Sequence, residues 1–302
     1  MNTRPAAPLR ISLPGVHRAA PVRAPSRSSR PAEPRRVCAL EFVRRMSGTS
    51  QPSFMRCDDG ENYVVKFQNN PQHVRILANE MLASRLALLI GLLVPMPAFV
   101  EVPSELISGD PFVQFEMGRP CHPCAGGLQF GSRFPGAPGE TLVVDFLPDP
   151  LLRRVKNLAS TFLGGLVFDK WTCNCDRRQV IFYRSVHQED STYWAALIDQ
   201  GSCFSKGDWS FPDSPICGLY PRWLVYESVR GLRSFEPFLS RVEDLDASSL
   251  EECVRTIPVE WCGDHPEQIW DLAQRLYDRR RHVRQLIVNG MNTRPNPFRN
   301  WQ

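Results

Sequence analysis

One break divides the chain. Pro135, Gly136, Pro138 and Gly139 fall within five residues. Neither a helix nor a central strand runs through such a stretch, because proline lacks the amide donor and glycine disfavours ordered backbone. Before the break, short apolar runs of strand length alternate with turn residues. After it, helical spacing dominates. This asymmetry predicts an α+β fold in two lobes with a cleft between them. The small strand-rich lobe takes residues 37–134, the larger helical one 135–302, and residues 1–36 stand outside both.

The first half is read from its turns. A strand is expected over 38–46, then a turn cluster at 48–52. Strands at 53–57 and 62–67 flank Asp58, Asp59, Gly60 and Glu61, which reads as a β-hairpin. Asn70 and Pro71 look like an N-cap and first helical residue, and Gly91 like a C-terminal stop, so a helix is predicted over 71–90. An extended stretch to 102 and strands at 111–116 and 129–134 follow. Beyond the break come a helical pattern at 150–171, a polar loop at 172–179 and apolar strands at 180–184 and 193–198. Helices fill the remainder from about 222, ending in an amphipathic run over 266–288.

Composition excludes several classes. With 42% hydrophobic residues, 17 Phe and 7 Trp, the chain can build a large core and is not wholly disordered. Its longest apolar stretch, 86–94, stops at Pro95, far short of the ~20 residues of a membrane span. A soluble, cytoplasmic protein with no membrane contact is expected. The net charge of +4 is deceptive, because residues 1–36 hold eight arginines against Glu33 alone. The rest is mildly acidic, which gives no basis for a nucleic-acid partner. The arginine segment is rich in proline and poor in large apolar residues, so it is expected to be disordered. Ten cysteines suggest reduced thiols in a chain of this length. Cys121 with Cys124, and Cys173 with Cys175, could supply thiolates to zinc, but C-x-C is not the usual structural spacing. No metal is expected there.

The residues that suggest chemistry fall in order along the chain. Lys66 sits within a predicted strand, where a lysine faces water unless a partner holds it. Glu80 lies on the predicted helix, and Ile76, Ala83, Ser84 and Ala87 share its face, all uncharged and the last three small. A carboxylate on such a face needs a partner, and Lys66 is the nearest candidate. Asp176 and Asp199 flank an apolar hairpin whose two arms have similar lengths, so both return to one rim. Two carboxylates together with phosphate oxygens suit Mg²⁺, which takes few protein ligands. The competing reading makes them turn-favouring aspartates at strand ends. Gly48, Thr49, Ser50, Gln51 and Pro52 form a small-residue turn able to present backbone N–H groups to phosphates.

This order resembles a protein-kinase-like catalytic domain, and the text itself is similar to the HipA-like kinase family. The segments are GTSQP (48–52), YVVKF (63–67), ANEMLASRLA (78–87), FGSRFPG (130–136), FDKWTCNCDRR (168–178) and LIDQG (197–201). The resemblance covers roughly 38–288. It implies a kinase that binds ATP and Mg²⁺ and transfers phosphate to a protein Ser/Thr hydroxyl. Lys66 would contact the phosphates, Glu80 would orient Lys66, and Asp176 would be the catalytic carboxylate. Asp199 would ligate metal. Gly48, Ser50 and Gln51 would cover the nucleotide. Phe130, Ser132 and the hinge at 131–135 would hold adenine. No His-Arg-Asp triplet precedes the loop, and Ile181 stands where the kinase pattern places an asparagine. Gln179 or Asn174 is then the candidate second metal ligand. A kinase of a small molecule or lipid, and a non-catalytic nucleotide-binding module, are the alternatives.

Overall fold

The computed structural model describes residues 33–116 and 122–302. Most of the predicted disordered segment, and Cys121, lie outside the described residues. Arg35 and Arg36, grouped with that segment by composition, instead open the first strand and pair with Ala98 and Phe99. Strands and helices are numbered in chain order. A closed barrel runs β1 (Arg35–Arg45), β2 (Ser53–Cys57), β3 (Asn62–Lys66), β7 (Gly127–Arg133) and β4 (Pro97–Val102). Neighbours are antiparallel except β1 and β4. Met55, Tyr63, Val65, Ala98 and Val100 fill the interior, as the two-residue period of a strand requires. Gly131 belongs to that interior face, where a Cβ would lie 2.4 Å from Val100 Cγ2. The alternate residues, Lys66 on β3 with its cross-strand partner Phe130 on β7, take the opposite face.

That outer face meets α1 (Ile76–Leu89), which buries every residue except Leu88. Burial on all sides marks an internal helix rather than an amphipathic surface one. It ends before Gly91, φ +78°, as the sequence indicates. Its start is five residues later than predicted. Asn70 is not a helix cap, since its Oδ1 accepts from the Gln72 amide at 2.9 Å and its Nδ2 donates to Phe67 O at 3.0 Å. Those bonds stabilise a local turn that competes with helix. The expected strand at 111–116 shrinks to β5 (Gln114–Phe115), paired with β6 (His122–Pro123). Asp110 draws the preceding residues into a turn through the Phe112 and Val113 amides. A short helix, α2 (Ser104–Gly109), links β4 to this region.

Past the break, β8 (Thr141–Val144), which the sequence reading missed, adds to the predicted hairpin β9 (Gln179–Ser185) and β10 (Trp194–Ile198), in the order β10-β9-β8. The helical stretch at 150–171 is two helices, α3 (Asp149–Leu152) and α4 (Leu158–Thr172). Between them the backbone opens to bond β10: Lys156 N donates to Tyr193 O at 2.8 Å, and the Asn157 side chain makes two bonds to the Ala195 backbone. The tail forms α5 (Phe238–Glu243), α6 (Ala247–Arg255), α7 (Gln268–Arg279) and α8 (Val283–Gly290). One core runs from α1 through α4 to α8, so α1 belongs as much to the helical half as to the barrel. No described helix is long and apolar enough to cross a membrane.

Candidate active site

Lys66 ends β3 on the face that α1 covers. Its Nζ bonds Glu80 Oε1 and, at 2.7 Å, Asp199 Oδ1. The Lys66 and Glu80 side chains are both buried, whereas Asp199 keeps 30% of its side chain accessible. Glu80 does more than hold the lysine. Its carboxylate accepts the backbone N–H groups of Gln200 at 3.0 Å and Gly201 at 2.9 Å. The metal-binding turn expected from the sequence is thus seated directly on α1. Gly201 permits this approach, since a Cβ there would lie 2.7 Å from Ile76 and 3.3 Å from Glu80 Oε1.

Asp199 adopts φ +57°, a left-handed conformation that costs an aspartate less than most residues. Gln179, which pairs with Ile198 at the mouth of the hairpin, donates Nε2 to Asp199 Oδ2 at 2.7 Å. Gln179, rather than the expected Asp176, is thus the side chain of the first arm that bonds Asp199. Burial alone would lower the Lys66 pKa, but Glu80 and Asp199 outweigh it and raise it. Burial pushes Glu80 up despite Lys66. For Asp199, burial is opposed and overcome by Lys66, so its carboxyl is held below the usual range. One cation shared by two carboxylates leaves the cluster short of positive charge, on the side where Asp199 is accessible.

The catalytic-loop residues are placed differently. Asp176 is exposed and accepts from the Arg177 amide at 2.7 Å. Asn174 is buried. It accepts from the Asp176 amide at 3.2 Å and donates to Asp169 Oδ1 at 3.1 Å, so its amide is engaged away from Asp199. Behind the loop lies a group that the sequence reading missed. Arg178 forms a two-pronged pair with Asp169 of α4, both side chains almost wholly buried, and donates to Ile198 O and Gln200 Oε1. An aspartate in the apolar segment LVFDKW was the available signal.

The loop at 48–52 joins β1 to β2. Gly48 has φ +132° and Gln51 φ +45°. The Gln51 side chain bonds the Glu116 backbone in both directions, and Thr49 Oγ1 accepts from Gln72 Nε2. Ser50 is buried. Phe130 is buried against α1, while Ser132, next on the same face of β7, is partly accessible beside Val64. Phe134, near the end of the expected hinge, packs edge-on against Phe54 at 4.9 Å. Cys124 lies in the barrel core. Among the described residues no group of three His, Cys, Asp or Glu side chains forms a metal cage. Two surface cavities, of about 410 and 510 Å³, contain none of the charged residues gathered around Lys66.

No curated protein sequence matches the chain. Among solved structures it is similar to the Helicobacter pylori proinflammatory kinase CtkA, at 12% identity over 84% of this chain and 96% of that one, with a TM-score of 0.51. The Golgi casein kinase (12% identity, 88% and 76% covered, TM-score 0.48) and hydra Fam20 with sugar (12%, 86% and 86%, 0.49) also match. At such identities the CtkA likeness establishes a kinase-like fold of mixed helices and strands, and nothing finer. The family model described as HipA-like kinase matches residues 40–287, the span that contains the barrel except the start of β1, the Lys66–Glu80–Asp199 cluster and the hairpin, and the chain belongs to the HipA-like kinase family.

Proposed function

We propose that this protein is an ATP-dependent kinase that transfers phosphate to a Ser/Thr hydroxyl of a protein. The observation that carries the reading is Lys66, held between Glu80 and Asp199, with Gln179 on the other oxygen of Asp199. In this reading the barrel with α1 is one lobe, the helical half is the other, and the nucleotide lies between them. The loop at 48–52 covers the phosphates with Gly48 and Ser50. Gln51 acts at a distance, fastening the loop to Glu116. Ser132 faces the adenine and Phe130 forms the floor beneath it.

Phosphoryl transfer asks the protein for position and charge rather than covalent chemistry. Lys66 is prepositioned to bind phosphate oxygens, and its raised pKa keeps it cationic. Oxygen donors suit Mg²⁺; Asp199 with Gln179 would hold it, and bound there it would supply neutralisation of phosphate charge. Gln179 serves in place of the asparagine that Ile181 lacks, while Asn174 supports the loop from within. Asp176, exposed and three residues before Gln179, would orient the acceptor hydroxyl and receive its proton.

Incubation with labelled ATP and Mg²⁺, alone and with a cell lysate, tests the reading. Labelled protein Ser/Thr is expected. Label confined to small molecules or lipid would replace the protein acceptor. Nucleotide binding without transfer would make the chain an interaction module, the reading that Ile181 favours.

A further inference from the structure

Asn79, beside Glu80 on α1, faces the turn that carries Asp199. Asn79 is 1% exposed, and all its hydrogen-bonding capacity is directed at one segment. Its Nδ2 donates to Gly201 O at 2.9 Å, Cys203 O at 3.1 Å and Lys206 O at 2.7 Å. Its Oδ1 accepts from Trp209 Nε1 at 2.7 Å. Arg75, one helical turn earlier on the same face, stacks 4.1 Å from the Trp209 ring and donates to Gly207 O at 3.0 Å.

The gripped segment is strained. Phe204, Ser205, Lys206 and Trp209 all have φ between +48° and +60°. None is glycine, and bulky residues reach such conformations only where their surroundings over-determine them. The surroundings here are Asn79 and Arg75. The same segment lies against the catalytic loop, through Cys175 N to Ser202 O at 3.2 Å and Ser205 N to Cys173 O at 3.3 Å.

We infer that Asn79 is a positioning residue which, with Glu80, forms a two-sided clamp on the turn carrying Asp199. Glu80 takes the N–H groups of Gln200 and Gly201, and Asn79 takes the carbonyl of Gly201 and those that follow. The inference rests on the kinase reading for its catalytic consequence, but the clamp itself does not. Its effect is to fix the metal-binding carboxylate and the loop beside Asp176 to one helix, so the competent arrangement is built into the fold.

Asn79→Ala is compared with wild type and with Ile287→Ala, a core truncation in α8 that lowers stability without touching the turn. Amide hydrogen exchange is followed over 201–209, and nucleotide affinity is titrated against Mg²⁺. The expected results for Asn79→Ala are faster exchange in 201–209 and a rise in the Mg²⁺ needed for half-maximal nucleotide binding. Supporting groups around a metal typically contribute about 10–100-fold. Excess Mg²⁺ should restore the affinity, and Ile287→Ala should show neither change. If Asn79→Ala does not fold, Trp209→Phe removes one bond of the clamp and keeps the ring under Arg75. The same changes, smaller, are then expected. Wild-type exchange in 201–209 for the folded variant would overturn the clamp. A wild-type protein that neither binds nucleotide nor transfers phosphate would overturn the kinase reading instead, while the exchange data still judge the clamp.

Discussion

Two buried charge clusters flank the turn Asp199-Gln200-Gly201, and they are built on opposite principles. On one side, Arg178 and Asp169 balance one against one. Asn174, Gln200 and the Ile198 carbonyl complete their hydrogen bonds, and almost no water reaches them. On the other side, Lys66 faces two carboxylates, and one of them remains accessible. A sealed, neutral pair holds structure. A cluster with surplus negative charge at an accessible edge is built to receive something positive. The turn between them inherits rigidity from the first and reactivity from the second.

The sharpest way to break this contrast is to remove charge on the open side and look for lost chemistry with the fold retained. Asp199→Asn should weaken Mg·ATP binding and abolish transfer. Asp176→Asn should keep Mg·ATP binding and lose transfer, since Asp176 is exposed and bonds neither Lys66 nor Gln179. Loss of such a carboxylate typically costs on the order of 10²–10⁴ in rate. Calorimetric titration with parallel transfer assays separates the two. Equal loss of binding in both variants would undo the division of roles, and wild-type transfer in both would remove these residues from the site.

The sealed side should respond in the opposite currency. Asp169→Asn leaves the Arg178 guanidinium buried without its counter-charge, a defect that typically costs about 3–5 kcal/mol. Urea unfolding should show that loss. The double variant Asp169→Leu with Arg178→Met should recover only part of it, because it removes the unpaired charge but strands Asn174 Nδ2, the Ile198 carbonyl and Gln200 Oε1 without partners. Lys66→Met should cost less stability than Asp169→Asn, since Glu80 keeps its two backbone N–H donors. If Lys66→Met unfolds the protein more readily, the open cluster is structural after all.

How much of this was readable beforehand depends on how local each signal is. Lys66 and Glu80 could be paired because a strand leads into a helix through a short link. Arm lengths pointed to the right hairpin but to Asp176 as the neighbour of Asp199, where Gln179 makes the bond. The Arg178–Asp169 pair could not be found that way. It depends on the chain reversing at Cys173, which has φ +49°, and no residue pattern announces a left-handed cysteine. The choice between Gln179 and Asn174 was open for the same reason. That reversal turns Asn174 inward to Asp169, while Gln179 begins a strand beside Asp199. Asn79 carries no local signal, because its partners lie more than 120 residues away. The late start of α1 and the gap before α4 were hidden in turns whose bonds reach Phe67 and Tyr193.

The smallest expected effect concerns His73, at the edge of the open side. Its Nε2 lies 3.3 Å from Gly201 O, and its Nδ1 is buried with no partner. The contact to a carbonyl assigns the proton to Nε2, so Nδ1 is the site that acid would protonate. A charge placed there gains no acceptor. Lys206 and Lys66 oppose it, and Asp208 favours it. Burial, with only partial relief from the Gly201 carbonyl, holds the His73 pKa below its usual value. A basic group with a depressed folded pKa binds protons more readily when unfolded. Its stabilising contribution is therefore complete above about pH 6.5, the unperturbed value, and is lost as the pH falls through the lower folded value. His73→Gln keeps a donor for Gly201 O and cannot titrate. Thermal unfolding of both proteins between pH 8 and 5 should show wild type losing more stability than the variant, with the curves converging in slope above pH 7. Parallel curves over the whole range would mean that His73 titrates freely. The open side would then extend past Gly201 to solvent, and the boundary between the two clusters would have to be redrawn.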